Sequence, residues 1–373
     1  MLYLYEERTV TTMKKTDKPT ALRIICTVLL ALAVVSAMFG CNKTNSAADD
    51  ETEDKSTPVA FADKDFASAM SSIFAKPVSE LTREELSSVR YIYFSNYDGV
   101  CNISVGFDDY MNETDFDARR DLLKRTAVKQ ISSFEDMKYL TGVRDFATFD
   151  VYTFDSFDDL RYCKELESVS IHTDGKNTAL KKLDGVEKLK NLKVFSVSGA
   201  IIDDVSILGT GGLDNLESIS LGADYRFYDD GDKCFEDISS FANLKKLESL
   251  SINFSGITDI SCLRELPLKY LTLYRCGLSD VSALADIKTL EDVSLMYNAI
   301  EDVTPFTELP NLRVLYLDYN YIRDLSPFAK LNSDKIEYIS LDMNAVEDWT
   351  PVRALYEEGK LNPGFELYFY DEE

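Results

Sequence analysis

The sequence predicts an α/β solenoid, and three observations predict it. The pattern L-x-x-L-x-L, with any aliphatic residue or Phe at the L positions, recurs eight times between Leu166 and Leu341. The recurrences keep step: from Leu247 the repeats begin 21, 22, 22 and 24 residues apart, at Leu268, Leu290, Leu312 and Ile336. A fixed period of roughly 20 to 30 residues marks stacked-coil architectures. Within each repeat the last two apolar positions, such as Leu315 and Leu317, alternate with polar ones, the two-residue period of a strand with one buried face. A strand this short cannot bury its own apolar face, so each coil leans on the next and the core runs along the stack.

Each repeat then continues in the same way. Three residues after the last aliphatic stand Asn298, Asn320 and Asn344, with Cys276 and Ser255 in the preceding coils. A buried polar side chain there satisfies backbone groups left free where the coil turns. A second apolar set closes the coil: Ile300/Val303/Phe306, Ile322/Leu325/Phe328 and Val346/Trp349/Val352. Pro305, Pro327 and Pro351 fall inside these closing segments, where they favour extended or 3₁₀ backbone over a full helix.

The composite Asn298-Ala-Ile-Glu-Asp302-Val-Thr-Pro-Phe306, repeated as Asn320-Tyr-Ile-Arg-Asp324-Leu-Ser-Pro-Phe328, resembles the internalin-type bacterial leucine-rich repeat over roughly residues 89–355. The resemblance implies a curved, right-handed leucine-rich repeat solenoid, with a parallel β-sheet on the concave face and loops or 3₁₀ turns on the convex face. It is specific for fold and weak for partner. Asp174, Ala200 and Asp224 stand where the pattern has Asn, so turn geometry departs in the earlier coils.

Towards the N-terminus the repeat weakens. Val89-Arg-Tyr-Ile92-Tyr-Phe94 reads as a first strand, residues 97–129 as an insertion, Ile131 to Met137 as a closing half-repeat, and Val143/Phe146 as the next opening. Residues 63–88 are expected to form a helical N-terminal cap, because a terminal coil otherwise exposes its core. Phe66 to Phe74 has helical apolar spacing, and Thr82-Arg-Glu-Glu85 has capping-box spacing. Residues 356–373 are expected to close the other end, with Tyr368, Phe369 and Tyr370 as a last strand.

Residues 1–40 are of another kind. Met13-Lys-Lys, Arg23, the apolar run Ile24 to Phe39 and Gly40-Cys41 have the three parts of a secretory signal, with Met13 a candidate true start. Gly40-Cys41 resembles the bacterial lipoprotein signal, which implies lipidation of Cys41. Phe39 is bulkier than that motif's usual residue, so an uncleaved anchor and simple cleavage stay open. Residues 41–62 begin with a polar stretch to Thr57 and read as a disordered tether.

The whole chain carries a formal charge of −25. Residues 1–40 hold five Lys/Arg and three Asp/Glu, leaving 35 basic and 62 acidic side chains in the rest. A chain this acidic is repelled by polyphosphate, so no nucleic-acid partner is expected. Arg119, Arg120, Lys124, Arg125 and Lys129 form one local exception, a basic patch if helical. Cys101, Cys163, Cys234, Cys262 and Cys276 are odd in number and lack zinc spacing, so no disulfide framework is expected. Cys262 and Cys276 fall on core-facing positions.

Enzyme chemistry has little to work with. His172 is the one histidine, placed on the outward face of its strand and read as an ordinary surface residue. The acidic run Asp224 to Asp237 lacks EF-hand spacing. Asn112-Glu-Thr114 has the form of a glycosylation acceptor and little meaning in a bacterial lipoprotein. No catalytic residue, metal or cofactor is expected.

The outward strand positions are the candidate site. In early coils they are small: Ser168, Ser170, Ser196, Ser198, Ser218, Ser220, Ser249 and Ser251. From Tyr270 onward they turn aromatic and charged: Tyr270, Tyr274, Arg275, Asp292, Met296, Tyr297, Tyr316, Asp318, Tyr319, Tyr338 and Asp342. Tyr and Arg are enriched at binding hot spots, although Tyr also tolerates half-exposed strand positions. A membrane-tethered protein that binds a protein partner through one continuous tyrosine ridge is the expected function. A carbohydrate or cell-wall module is the alternative, disfavoured by the single Trp, Trp349.

Overall fold

The structure, a computed structural model, describes residues 56–112, 118, 121–173, 179–223 and 234–362. The signal-like segment, Cys41, most of the tether, Asp174, Asp224, Arg119, Arg120, most of the acidic run and Tyr368 to Tyr370 lie outside the described residues. So does most of the Asn112-Glu-Thr114 site.

The described chain is a leucine-rich repeat solenoid with a helical N-terminal cap. Asp63 starts helix α1, Lys64–Phe74, by accepting the N–H groups of Asp65 and Phe66, each at 2.8 Å; Ala75 ends it in the left-handed conformation. Its buried residues Phe66, Ala69, Met70 and Ile73 follow the helical period and cover the first coil. Thr82 and Glu85 complete a reciprocal capping box on the one-turn helix α2, Arg83–Leu86. The buried carboxylate of Asp136 takes the N–H groups of Ala62 and Asp63, each at 2.8 Å, and so ties the cap to the first closing turn.

The tether ends earlier than residue 62. Pro58 bridges Thr82, Val59 is buried with its N–H on the Leu81 carbonyl, and Phe61 packs against the core. These apolar residues belong with the cap.

Thirteen described strands make one sheet. In chain order they are β1 Tyr91–Tyr97, β2 Val100–Gly106, β3 Lys124–Val128, β4 Asp145–Phe149, β5 Ser168–His172, β6 Val194–Ser198, β7 Ser218–Gly222, β8 Ser249–Asn253, β9 Tyr270–Tyr274, β10 Asp292–Ser294, β11 Val314–Tyr316, β12 Tyr338–Ser340 and β13 Leu361–Asn362. From β4 to β13 neighbours are consecutive and parallel, and β1 pairs parallel with β4. β1, β2 and β3 pair antiparallel. The stretch 97–129 is therefore not merely an insertion, because it supplies the last two strands at this edge. Asp98 (φ 52°) and Gly99 (φ 75°) make the two-residue turn, whose positive φ values match strand twist. Lys124 and Arg125 lie on β3 rather than on a helix, so that part of the basic patch borders the sheet.

Behind the sheet the coils return through one-turn 3₁₀ segments. Three of them, Thr304–Glu308, Ser326–Lys330 and Thr350–Val352, carry the prolines in their first turn. A repeated device starts several of them. An Asp side chain takes the N–H two residues on, as in Asp280 to Ser282, Asp302 to Thr304 and Asp324 to Ser326 at 2.7 to 2.8 Å.

The core is sealed differently at its two ends. Near the cap, phenylalanine rings pass contact from coil to coil: Phe94 to Phe134 (5.2 Å), Phe134 to Phe154 (5.2 Å), Phe154 to Phe157 (5.3 Å) and Phe157 to Phe195 (5.5 Å). In the later coils an asparagine ladder replaces them. Asn320 donates to the carbonyls of Leu295 and Leu317, each at 2.9 Å, and accepts from Ile300 N–H at 3.0 Å. Asn298 and Asn344 repeat the arrangement one coil to either side. Each Asn thus satisfies backbone groups of its own coil and of the one before. Cys276, at the next rung, donates weakly to Ile252 and Tyr274 carbonyls at 3.6 and 3.5 Å.

Candidate ligand-binding surface

Parallel register sorts the inner face into three rows. The middle row runs Ala147, Ser170, Ser196, Ser220, Ser251, Thr272, Ser294, Tyr316 and Ser340. The leading row, where strands begin, includes Ser168, Ser218, Ser249, Tyr270, Asp292 and Tyr338. The trailing row, where they end, includes Phe149, His172, Ser198, Gly222, Asn253 and Tyr274. Ser168, Ser218 and Ser220 are buried, so the early serines do not all face solvent.

The tyrosines do not form one ridge. Tyr316 and Tyr338 make one pair on the sheet face, ring centres 5.4 Å apart. A separate ladder follows the trailing edge: Phe254 to Tyr274 (5.3 Å), Tyr274 to Tyr297 (5.2 Å), then Tyr297 stacked on Tyr319 at 4.0 Å and 10°. The Arg275 guanidinium lies over the Phe254 ring at 5.7 Å. Tyr270 stands on the leading row, 44% exposed. Burial lifts the phenols of Tyr274 and Tyr316 above their ordinary range. Burial and the Tyr319 hydroxyl do the same for Tyr297, so these phenols stay protonated near neutral pH.

The backbone explains why the ladder stands where it does. Phe254, Arg275, Tyr297, Tyr319 and Met343 occupy one position per coil, directly before the ladder rung, and all have φ between 52° and 57°. Left-handed backbone costs a non-glycine residue about 1 kcal/mol or more. In earlier coils the same position holds Asp150 (φ 54°) and Gly199 (φ 85°), residues that adopt it more readily. Of the bulky side chains in this conformation, Arg275, Tyr319 and Met343 are exposed beyond the strand ends and Tyr297 is half-buried, while Phe254 is buried. Tyr319, Tyr321 and Met343 are exposed there, at 39%, 62% and 54%.

Two of the expected site residues, Asp318 and Asp292, make contacts within the chain, and so does His172. Asp318 is buried; its carboxylate accepts the Ser340 hydroxyl at 2.5 Å and the Asp342 N–H at 2.9 Å, so it braces two coils. Burial raises its carboxyl pKa, while the Ser340 hydroxyl and backbone N–H groups pull the other way. Asp292 is half-buried and bound by Arg313 at 3.1 Å, which also reaches Glu337 at 2.8 Å. His172 is no plain surface histidine: its ring stacks on Phe149 at 4.4 Å and 15°, and Nδ1 meets the Ser198 hydroxyl at 2.7 Å. Asp342 and Met296 are half-buried on the trailing row.

Sequence reasoning missed Phe254, Tyr321, Met343 and the Phe149–His172 pair. The signal for two of them was available, since Phe254 and Met343 precede ladder positions at the repeat's own period. It also missed a charge ladder on the leading edge, where Glu167–Lys193 (2.9 Å), Glu248–Lys269 (2.8 Å) and Arg313–Glu337 (2.8 Å) join neighbouring coils. Exposed pairs of this kind contribute about 0 to 1 kcal/mol each. An open cleft of about 390 Å³ beside Glu291, Arg313, Lys335 and Glu337 belongs to this ladder.

The remaining chemistry is sparse. Cys101, Cys163, Cys234, Cys262 and Cys276 are free thiols, four of them buried. Burial pushes Cys163 up to about 12 and Cys101, Cys262 and Cys276 to about 11, so thiolate is scarce at neutral pH. Among the described residues no group of three or more His, Cys, Asp or Glu side chains could hold a metal ion. Among them no helix is long and apolar enough to cross a membrane.

No family model matches the chain, and no curated protein does. Among solved structures it is similar to internalin C2 of Listeria monocytogenes, at 20% identity and a TM-score of 0.46, covering 78% of this chain and 100% of that one. It is also similar to an internalin, InlF, from the same species, at 18% identity and a TM-score of 0.49, covering 83% of this chain and 96% of the other.

Proposed function

We propose that this chain is a lipid-anchored, extracytoplasmic bacterial protein that recognises another protein without chemical turnover. The trailing-edge aromatic ladder is its binding surface. One observation supports the reading above others. Four coils place Phe, Arg or Tyr, and a fifth Met, at a left-handed position where Gly, Asn or Asp is less strained. Phe254 is buried, but strain held where Arg275, Tyr297, Tyr319 and Met343 stand exposed or half-buried calls for a reason outside folding. Tyrosine and arginine bring large rigid area and a polar tip together, the combination that dominates binding hot spots.

The test is capture from bacterial-envelope and host extracts by the full chain, alongside the Tyr297→Ala/Tyr319→Ala variant and a glycan array. The reading expects a protein captured by the wild type and lost by the variant, with unchanged thermal unfolding elsewhere. Capture that survives the variant removes the ladder from the proposal; array binding with no captured protein transfers it to carbohydrate. Anchoring at Cys41 is tested separately by metabolic labelling with a palmitate analogue, which Cys41→Ala should abolish.

A further inference from the structure

The ladder's surroundings specify the chemistry of its partner. Beyond each rung the chain passes two outward residues and then reaches the turn aspartate that starts the 3₁₀ segment: Asp259, Asp280, Asp302, Asp324 and Asp348, all exposed. They form a column parallel to the aromatic one. Backbone N–H and hydroxyl groups of the following Ser or Thr hold Asp259 and Asp280 below the usual carboxylate range, and the Thr350 hydroxyl and N–H do the same for Asp348. Asp259, Asp280 and Asp348 therefore stay charged at neutral pH. Glu301 and Glu347, exposed in the space between the two columns, add to the same field; Arg323 is the one cation in their row.

A stacked tyrosine row is electron-rich on its open faces and presents hydroxyl oxygens at its rim, and both attract cations. This chain already shows the pairing, because Arg275 lays its guanidinium over Phe254, the first ring of the ladder. Beyond it Tyr297, Tyr319 and Tyr321 lie exposed or half-buried beside this acidic column, with the single half-buried Asp342 on the sheet side. We infer that the trailing edge of coils β9 to β12 binds an extended protein segment rich in arginine or lysine, aligned along the strand ends. The inference rests on the ladder being a protein-binding surface and names what that protein must present.

The probe is an oligo-arginine peptide, compared with oligo-glutamate and glycine-serine peptides of equal length, titrated into the full chain by calorimetry. Oligo-arginine should bind, with affinity falling as salt rises because exposed charges are screened over about 8 Å at physiological ionic strength. Glu301→Gln/Glu347→Gln and Tyr297→Ala/Tyr319→Ala should each weaken it by tenfold or more. Tyr319→Phe, which keeps the ring, should retain it and guards against misfolding. Glu80→Gln/Glu84→Gln, which removes the same charge from the cap, should leave affinity within twofold. If all the charge variants weaken binding equally, only net charge is at work and the inference falls. It falls too if oligo-arginine binds no better than glycine-serine. In that event, ladder-dependent capture of an envelope protein would leave the broader reading standing with a partner of other chemistry.

Discussion

The two ends of the solenoid differ in where most of their ring-to-ring contacts lie. In coils β1 to β6, Phe94, Phe134, Phe154, Phe157 and Phe195 pack ring to ring inside the core, while the sheet face of β5 and β6 carries Ser168, Ser170, Ser196 and Ser198 beside the stacked Phe149–His172 pair. In coils β9 to β12 the interior is aliphatic apart from Phe306 and Phe328 at the closing turns and is braced by Asn298, Asn320 and Asn344, while a row of tyrosine rings stands along the trailing edge. The strand register is the same in both, so backbone alone does not decide where a ring goes. Interior rings are accounted for by burial, whereas an exposed ring on left-handed backbone is not. Under the proposed function, the difference separates folding from recognition within one repeated architecture.

The largest effect should come from the interior rings. Phe154 is fully buried against Phe134, Phe146 and Phe157, so Phe154→Ala should cost about 3 to 5 kcal/mol in denaturant unfolding. Coil-to-coil stacking makes the loss local at first, and hydrogen exchange should rise near the cap before it rises at β11. Uniform exchange would show that the two ends fold as one unit. Asn320→Ala attacks the other seal. It strands two carbonyls and one N–H inside the core, and should cost about 2 to 4 kcal/mol with the exchange pattern reversed.

Gly199→Ala asks whether the early coils have room for what the late coils display. A Cβ there would sit 1.8 Å from the Thr173 carbonyl oxygen, on backbone with φ 85°. A loss of about 2 to 3 kcal/mol is expected from strain and displaced backbone. A neutral outcome would mean that the trailing-edge position is equally permissive along the whole solenoid.

Acid titration sharpens the comparison further. Asp318, buried in the late coils, has a raised carboxyl pKa, so the folded state holds its proton more tightly than the unfolded chain. Its sign is therefore unfavourable above the folded pKa, and the deficit shrinks as pH falls towards the unfolded value of 3.8. The turn aspartates Asp204, Asp237, Asp259, Asp280 and Asp348 have lowered pKa values and act the other way. Their stabilisation is present above 3.8 and is lost as pH falls through the folded values. Asp318→Asn, which keeps an acceptor for Ser340, should lift stability at neutral pH relative to pH 4 and steepen the acid loss. An unchanged pH profile would mean that water reaches this carboxylate.

What was legible in the sequence follows from these two kinds of position. The solenoid, the Asn rungs and the Pro-containing turns repeat at fixed offsets, so burial and hydrogen bonding could be read directly from the period. The β1–β3 hairpin does not repeat, and Cys101, Ile103 and Val105 show their buried face only once paired with β1. The burial of Asp318 was not legible because its brace, Ser340, lies 22 residues away in the next coil. Charge alternation on the leading edge was obscured by unequal coils, since Ser218 and Ser249 are neighbours across 31 residues. The left-handed position was written beside every Asn, but conformation, not residue type, gives it meaning.

Met343→Asn has the smallest expected effect and bears most directly on that position. Met343 is 54% exposed with φ 57°, so it gives up little packing and carries backbone strain that Asn tolerates better. If folding alone had set this residue, Asn would serve it better, and stability should rise by about 0.5 to 1 kcal/mol. A binding surface predicts a second change in the opposite direction, because Met343 extends the exposed apolar edge past Tyr319. Stability rising while partner affinity falls would mark the late coils as shaped for contact at the expense of fold. Were both to rise, the bulky left-handed residues would be incidental, and the contrast between the two ends would reduce to core composition.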